Sequence, residues 1–210
     1  MGRENDIIHF MENKLEYISE ISDQGEGKAY LAKLRKGIGH SPGEVPELMG
    51  ILLIDMPEEF ISEGKGVSKE EWACYTALTL FAMHQQGNDV KKNPMNIDQK
   101  GVSIVKRTSI GTAMRNYVLR EEDSNTMDRM AFRLQALGTS KDMKELSYHM
   151  KSIIQLLKTE EIPLNYPRLA VDVYEYQFQE RQADVRLKWG QDFYRDVKHE
   201  NIKKEESENE

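Results

Sequence analysis

Apolar side chains recur at three- and four-residue steps along almost the whole of this chain, and no two neighbouring segments alternate apolar with polar residues as paired strands do. Each such run is a helix with one apolar stripe, and stripes are stable only when buried against one another. The expectation is therefore an all-α helical bundle of about eight to nine helices with no significant sheet. Residues 4–22 align Ile7, Phe10, Met11, Leu15, Ile18 and Ile21. A second helix runs through Tyr30, Leu31 and Leu34 and stops at Gly37 and Gly39. Pro46 suits the first turn of a short apolar helix that Pro57 limits. Ser68 with Glu71 three residues on forms a capping box before the run from Trp72 to Gln86. Helices follow over Ser109 to Leu119 and over Met127 to Leu137, then a long one capped by Ser140. Another carries Leu169, Asp172, Val173 and Tyr176, and a last one aligns Val185, Trp189, Phe193 and Val197.

One helical domain is expected over residues 1–198. Residues 88–102 hold Gly101, Asn93-Pro94 and several lysines, and read as a long mobile loop and a candidate joint between two lobes. Residues 199–210 contain five glutamates and read as an acidic, disordered tail. No apolar stretch reaches the roughly 20 residues that cross a bilayer, and the first residues lack the basic-then-apolar layout of a signal peptide. With a single cysteine, Cys74, the chain has no internal disulfide framework, which fits a reducing cytoplasm.

The net charge is −7, which taken alone argues against a polyanion partner, because phosphate contacts need concentrated positive charge. The average conceals segregation. Residues 28–40 hold four bases (Lys28, Lys33, Arg35, Lys36) and no acid, and residues 88–120 hold seven bases against Asp89 and Asp98. Residues 1–27 and 41–72 are strongly acidic. Basic islands in an acidic surround are the electrostatic footprint of nucleic-acid binding, although most charge runs are only solvated helix faces.

Catalytic constellations are not found. The histidines (His9, His40, His84, His149, His199) lack metal-ligand spacing, so no metal site and no cofactor are expected. Cys74 sits on an apolar face beside Ala77 and Leu78 and reads as core. Gly37-Ile38-Gly39 follows a helix, not a strand, and reads as a helix stop, not a dinucleotide fingerprint. Trp189, Phe193 and Tyr194 have the makings of a base-stacking platform, but aromatic residues at helical spacing are more often core, and all three are assigned there.

Six blocks carry a resemblance over about residues 28 to 195: LRKGIG at 34–39, TLFAMHQ at 79–85, SIGTAMR at 109–115, DRMAFRLQAL at 128–137, IPLNYPRLAVDVY at 162–174 and VRLKWGQDFYR at 185–195. In order, spacing and the closing Trp-Gly-x-Asp-Phe-Tyr run, the chain resembles the CasB family of small subunits of type I-E CRISPR Cascade complexes. The resemblance implies a non-catalytic helical subunit present in two copies. Its implied partners are the backbone and large Cascade subunits, the crRNA and the target DNA, whose R-loop it helps hold. It implies phosphate contacts by Arg35, Lys36, Arg115 and Arg129. Where the family block has two adjacent arginines this chain has Met130, with Arg133 one turn after Arg129 as the replacement. Lys33, Lys106 and Arg107 join the set from charge clustering alone. The acidic first helix is expected to face away from phosphate, or to meet a basic neighbouring subunit. A helical adaptor that binds only protein is the rival reading, and an enzyme the more distant one.

Overall fold

The computed structural model describes residues 2–195 apart from 24, 122 and 124. Among these residues the chain forms nine helices: α1 (Arg3–Ile21), α2 (Gly25–Lys36), α3 (Met49–Leu53), α4 (Lys69–His84), α5 (Ile110–Arg120), α6 (Thr126–Gly138), α7 (Met143–Thr159), α8 (Tyr166–Tyr176) and α9 (Gln182–Tyr194). The only β pairing among the described residues is an isolated bridge between Asn96 and Leu164. The fold is all-α, as the periodicity requires. Val197 and the acidic tail at 199–210 lie outside the described residues.

Helix α4 is the axle. It is apolar all round, buried continuously from Ala73 to His84, and packs against α8, α2 and α7. Its start is the expected capping box: Ser68 Oγ accepts from the Glu71 N–H at 2.9 Å, and Glu71 Oε2 accepts from the Ser68 N–H at 2.6 Å. Cys74 is fully buried at its centre, and burial pushes the thiol pKa up, so it is inert core.

Two glycines set close approaches between elements far apart in sequence. A Cβ on Gly37 would stand 2.6 Å from Leu48 and 2.7 Å from Tyr75 Oη, whose hydroxyl donates to the Gly37 carbonyl at 3.0 Å. A Cβ on Gly111 would stand 2.2 Å from the Trp189 carbonyl oxygen, so α5 and α9 touch backbone to backbone there. Ser109, the N-cap of α5, also donates to Asp192 on α9 at 2.7 Å. The blocks SIGTAMR and VRLKWGQDFYR are thus the two halves of one joint.

Three sequence expectations are corrected. Ser140 does not cap the long helix. Its hydroxyl donates back to the Leu137 carbonyl at 2.9 Å, and Asp142 caps α7 by accepting from the Glu145 N–H at 2.8 Å. The loop at 88–102 is tied down where mobility was expected. Gln85 accepts from the Met95 N–H and donates to the carbonyls of Asn88 and Asn93, while Asn165 donates to the Ile97 carbonyl. Met95 is fully buried, and one apolar cluster runs from Ile7 to Phe193. Tyr194 is not core: it is 53% exposed, whereas Trp189 and Phe193 are buried. The apolar face of α9 is used up by Val185, Trp189 and Phe193, and Tyr194 points off it.

Candidate nucleic-acid interface

The basic island at 88–107 faces the chain's own first helix. Lys91 pairs with Asp23, Lys100 with Glu16 at 2.9 Å and Arg107 with Glu12 at 2.7 Å. The Arg107 side chain is only 5% exposed, and its Nε donates to the Val102 carbonyl at 3.0 Å. A guanidinium this buried against a carboxylate holds the loop to α1, which speaks against a phosphate contact there. Glu12 and Glu16 of α1 thus meet this loop. Lys106, next door, is exposed. Charge clustering along the chain cannot tell a free base from one quenched by an acid about 80 to 95 residues away.

The first island sits at the C-terminal end of α2. Lys33 and Lys36 are exposed, with Lys36 paired to Glu47 at 2.8 Å in a solvent-facing pair. Arg35 is half-buried. It leans over α4 with Nη1 3.4 Å from the Ala82 carbonyl, and burial lowers its pKa. Surface pairs such as Lys36–Glu47 are worth little in water and exchange readily for a phosphate.

The remaining candidates gather on α5 and α6. Arg115 is half-buried, with an Nε that has no hydrogen-bond partner among the described residues. Arg129 is exposed, pairing with Asp123 at 2.8 Å and donating to Thr126 Oγ1 at 2.8 Å. Arg133, one turn on, donates to Ser152 Oγ of α7 at 2.8 Å. Met130 is 1% exposed, in the core between them. An arginine at that position would have to leave the core, whereas Arg133, one turn from Arg129, is half-buried against Ser152.

The structure adds residues the charge count missed. Lys144, Lys151 and Lys158 lie at seven-residue steps, two turns apart, along one side of α7, with Tyr148 68% exposed between the first two. Glu145, Glu160 and Glu161 keep the segment's net charge low, which hid this stripe. Only the seven-residue spacing announces it. Its two ends reach toward the other basic elements: Lys144 lies 3.6 Å from Glu44 in the turn after α2, and Lys158 3.3 Å from Gln86 after α4. The α7 lysines, Arg129 and Arg133 thus share two adjacent helices. Such an array suits a polyanion, with arginine able to grip a phosphate through two donors and lysine acting as a point charge.

No helix among the described residues is long and apolar enough to cross a membrane. A family model described as CRISPR-associated protein Cse2 matches residues 30–194. Comparison with curated protein sequences gives no match. Among solved structures, CasB from Thermobifida fusca is similar with a TM-score of 0.68 at 26% identity, over 90% of this chain and 98% of that one. A Cse2-family CRISPR-associated protein from Thermus thermophilus is similar in fold (TM-score 0.60, 19% identity, 88% of this chain and 97% of that one). So is a chain of a CRISPR RNA-guided surveillance complex (TM-score 0.68, 16% identity, 94% and 98%).

Proposed function

This chain belongs to the CRISPR-associated Cse2 family, and from that premise we propose that it is a non-catalytic subunit of a type I-E CRISPR RNA-guided surveillance complex, a Cascade, working in antiviral defence. In this reading it binds nucleic-acid backbone without sequence preference and stabilises the R-loop on target DNA. Its partners are the backbone and large subunits, a second copy of itself, the crRNA and the target DNA, in the cytoplasm. Guide pairing reads sequence in such a complex, so this subunit needs only phosphate contacts.

The observation that carries the proposal is the separation of charge in three dimensions. Arg107 is spent on Glu12 in a buried pair, and Lys91 and Lys100 lie against Asp23 and Glu16, while Arg129, Arg133 and the Lys144–Lys151–Lys158 stripe share the adjacent helices α6 and α7, Arg129 and Lys144 in exposed pairs with Asp123 and Glu44. Lys33, Arg35 and Lys36 on α2, Arg115 on α5 and the exposed Lys106 are further candidates in this reading.

The test is the salt dependence of target retention by the assembled complex. Replacing Arg129, Arg133 and Lys151 by alanine is expected to leave assembly and guide complementarity rules intact and to weaken retention equally for all targets. Each contact removed should flatten log affinity against log salt by roughly 0.7–0.9 units. An unchanged slope with intact affinity would favour the protein-only adaptor.

A further inference from the structure

Phe132 is the most exposed large apolar side chain among the described residues, at 71%, and it sits in the middle of α6. The buried face of that helix is Met130, Leu134 and Leu137, and Phe132 stands opposite it. On one side of Phe132 opens a groove of about 640 Å³ toward α9, lined among others by Phe132, Trp189, Arg186 and Tyr194. Tyr194 is 53% exposed and packs edge-on against the buried ring of Phe193, with centroids 4.8 Å apart. On the other side of Phe132 lie Arg129 and Arg133, three residues before it and one after.

We propose that Phe132 and Tyr194, which both line this groove, stack unpaired bases of single-stranded nucleic acid whose phosphates are held by Arg129, Arg133 and Arg186. The inference rests on the backbone-binding reading above and adds a component that phosphate contacts do not supply.

Charge selects this occupant over an apolar protein segment. Arg133 and Arg186 are held by neutral partners, Ser152 Oγ at 2.8 Å and the Gln182 carbonyl at 3.1 Å, so their positive charge is uncompensated by any ion pair among the described residues. Among the described residues Arg129 is ion-paired only with the exposed Asp123, a contact a phosphate can displace. Among the described residues the one carboxylate lining the groove is Asp128. Exposed aromatic rings between guanidinium groups are how single strands are bound without sequence preference, because every base has a π-face and every nucleotide a phosphate. Duplex bases are already stacked and would not use the site.

Phe132 is exposed, so its replacement leaves the fold intact. The experiment measures binding of the protein and its Phe132→Ala, Phe132→Leu and Phe132→Trp variants to three probes of equal length: oligo-dT, an abasic oligonucleotide and duplex DNA. Phe132→Ala and Phe132→Leu are expected to weaken oligo-dT binding by roughly 5- to 150-fold. Phe132→Trp should retain it, and the abasic strand and duplex should be insensitive to all three. Equal effects on oligo-dT and the abasic strand would overturn stacking while leaving phosphate binding standing. Retention by Phe132→Leu would also overturn it, since leucine is apolar without a π-face. Loss of self-association with unchanged DNA binding would make the groove a protein interface and overturn it too. If the unaltered protein bound none of the probes, the backbone-binding reading and this inference would fall together.

Discussion

Trp189 donates its indole N–H to the buried carboxylate of Asp172, Nε1 to Oδ2 at 2.8 Å, and so ties α9 to α8 through the one polar atom its ring carries. The other carboxylate oxygen accepts from Arg168 Nε at 2.7 Å, and Arg168 Nη1 reaches on to the Ile104 carbonyl at 2.7 Å. Burial pushes the Asp172 carboxyl pKa up, opposed by the Arg168 charge and the Trp189 hydrogen bond. A carboxylate this deep is tolerable only because both oxygens are satisfied. The Tyr176 ring stacks nearly parallel on the indole, centroids 5.7 Å apart.

Trp189→Ala should lower stability by about 3–5 kcal/mol, as for other large aromatic truncations. Trp189→Phe keeps most of the ring but leaves Asp172 Oδ2 without its donor, and should cost roughly 1–3 kcal/mol. Urea denaturation of the three proteins checks this. Equal stability of Trp189→Phe and the unaltered protein would show that the hydrogen bond contributes nothing.

Gly111→Ala should be among the most damaging small substitutions in the chain. The added methyl meets the Trp189 carbonyl oxygen at 2.2 Å, a backbone atom that cannot swing aside, so α5 and α9 must separate. A loss of several °C in melting temperature is expected, and Gly190→Ala, with open space around its Cβ, is the control that should show little change. Indifference at Gly111 would mean that the two helices are not in backbone contact.

His84 makes stability pH-dependent. It is fully buried beside Tyr166, its Nδ1 2.9 Å from the phenol oxygen, and burial lowers its pKa from 6.5 to about 4. As pH falls, the unfolded chain takes up the proton first. The contribution is therefore fully present above about 6.5 and is lost between about 6.5 and 4, at up to about 1.4 kcal/mol per pH unit. Melting curves between pH 7 and 5 should fall more steeply for the unaltered protein than for His84→Gln. Parallel curves would mean that His84 titrates normally.

Arg107→Ala should behave as a stability variant, not as a binding one. Removing the cation strands Glu12 in a largely buried position, which costs about 3–5 kcal/mol for buried pairs. Thermal denaturation should register the loss, while the salt slope of DNA retention by the folded fraction stays unchanged. A flatter slope with unaltered melting would restore Arg107 to the phosphate-binding set.

Short-range pattern was enough for much of the fold. Helix identity, the Ser68–Glu71 capping box, the burial of Trp189 and Cys74 and the lack of strand pairing among the described residues all follow from periodicity and local capping, which act over one or two turns. The family resemblance was legible for a related reason: its blocks are the parts that touch, Ser109 and Gly111 with Asp192 and Trp189, Gln85 with the loop at 88–95, His84 with Tyr166.

Which charges are available was settled by packing alone. Arg107 and Arg129 look alike in sequence, yet one is buried against Glu12 and the other stands in solvent, because ion pairing depends on distances the chain sets only once α1 has packed beside the loop at 88–107. The same holds for the α7 lysines, masked by neighbouring glutamates in one dimension and separated from them around the helix in three. It holds also for Phe132 and Tyr194, whose apolar character predicts burial until packing shows that Met130, Phe193 and Trp189 have already filled the core. Pattern fixes local conformation because backbone sterics and hydrogen bonds are local. Electrostatic and surface roles are long-range, and they emerge only when distant segments meet.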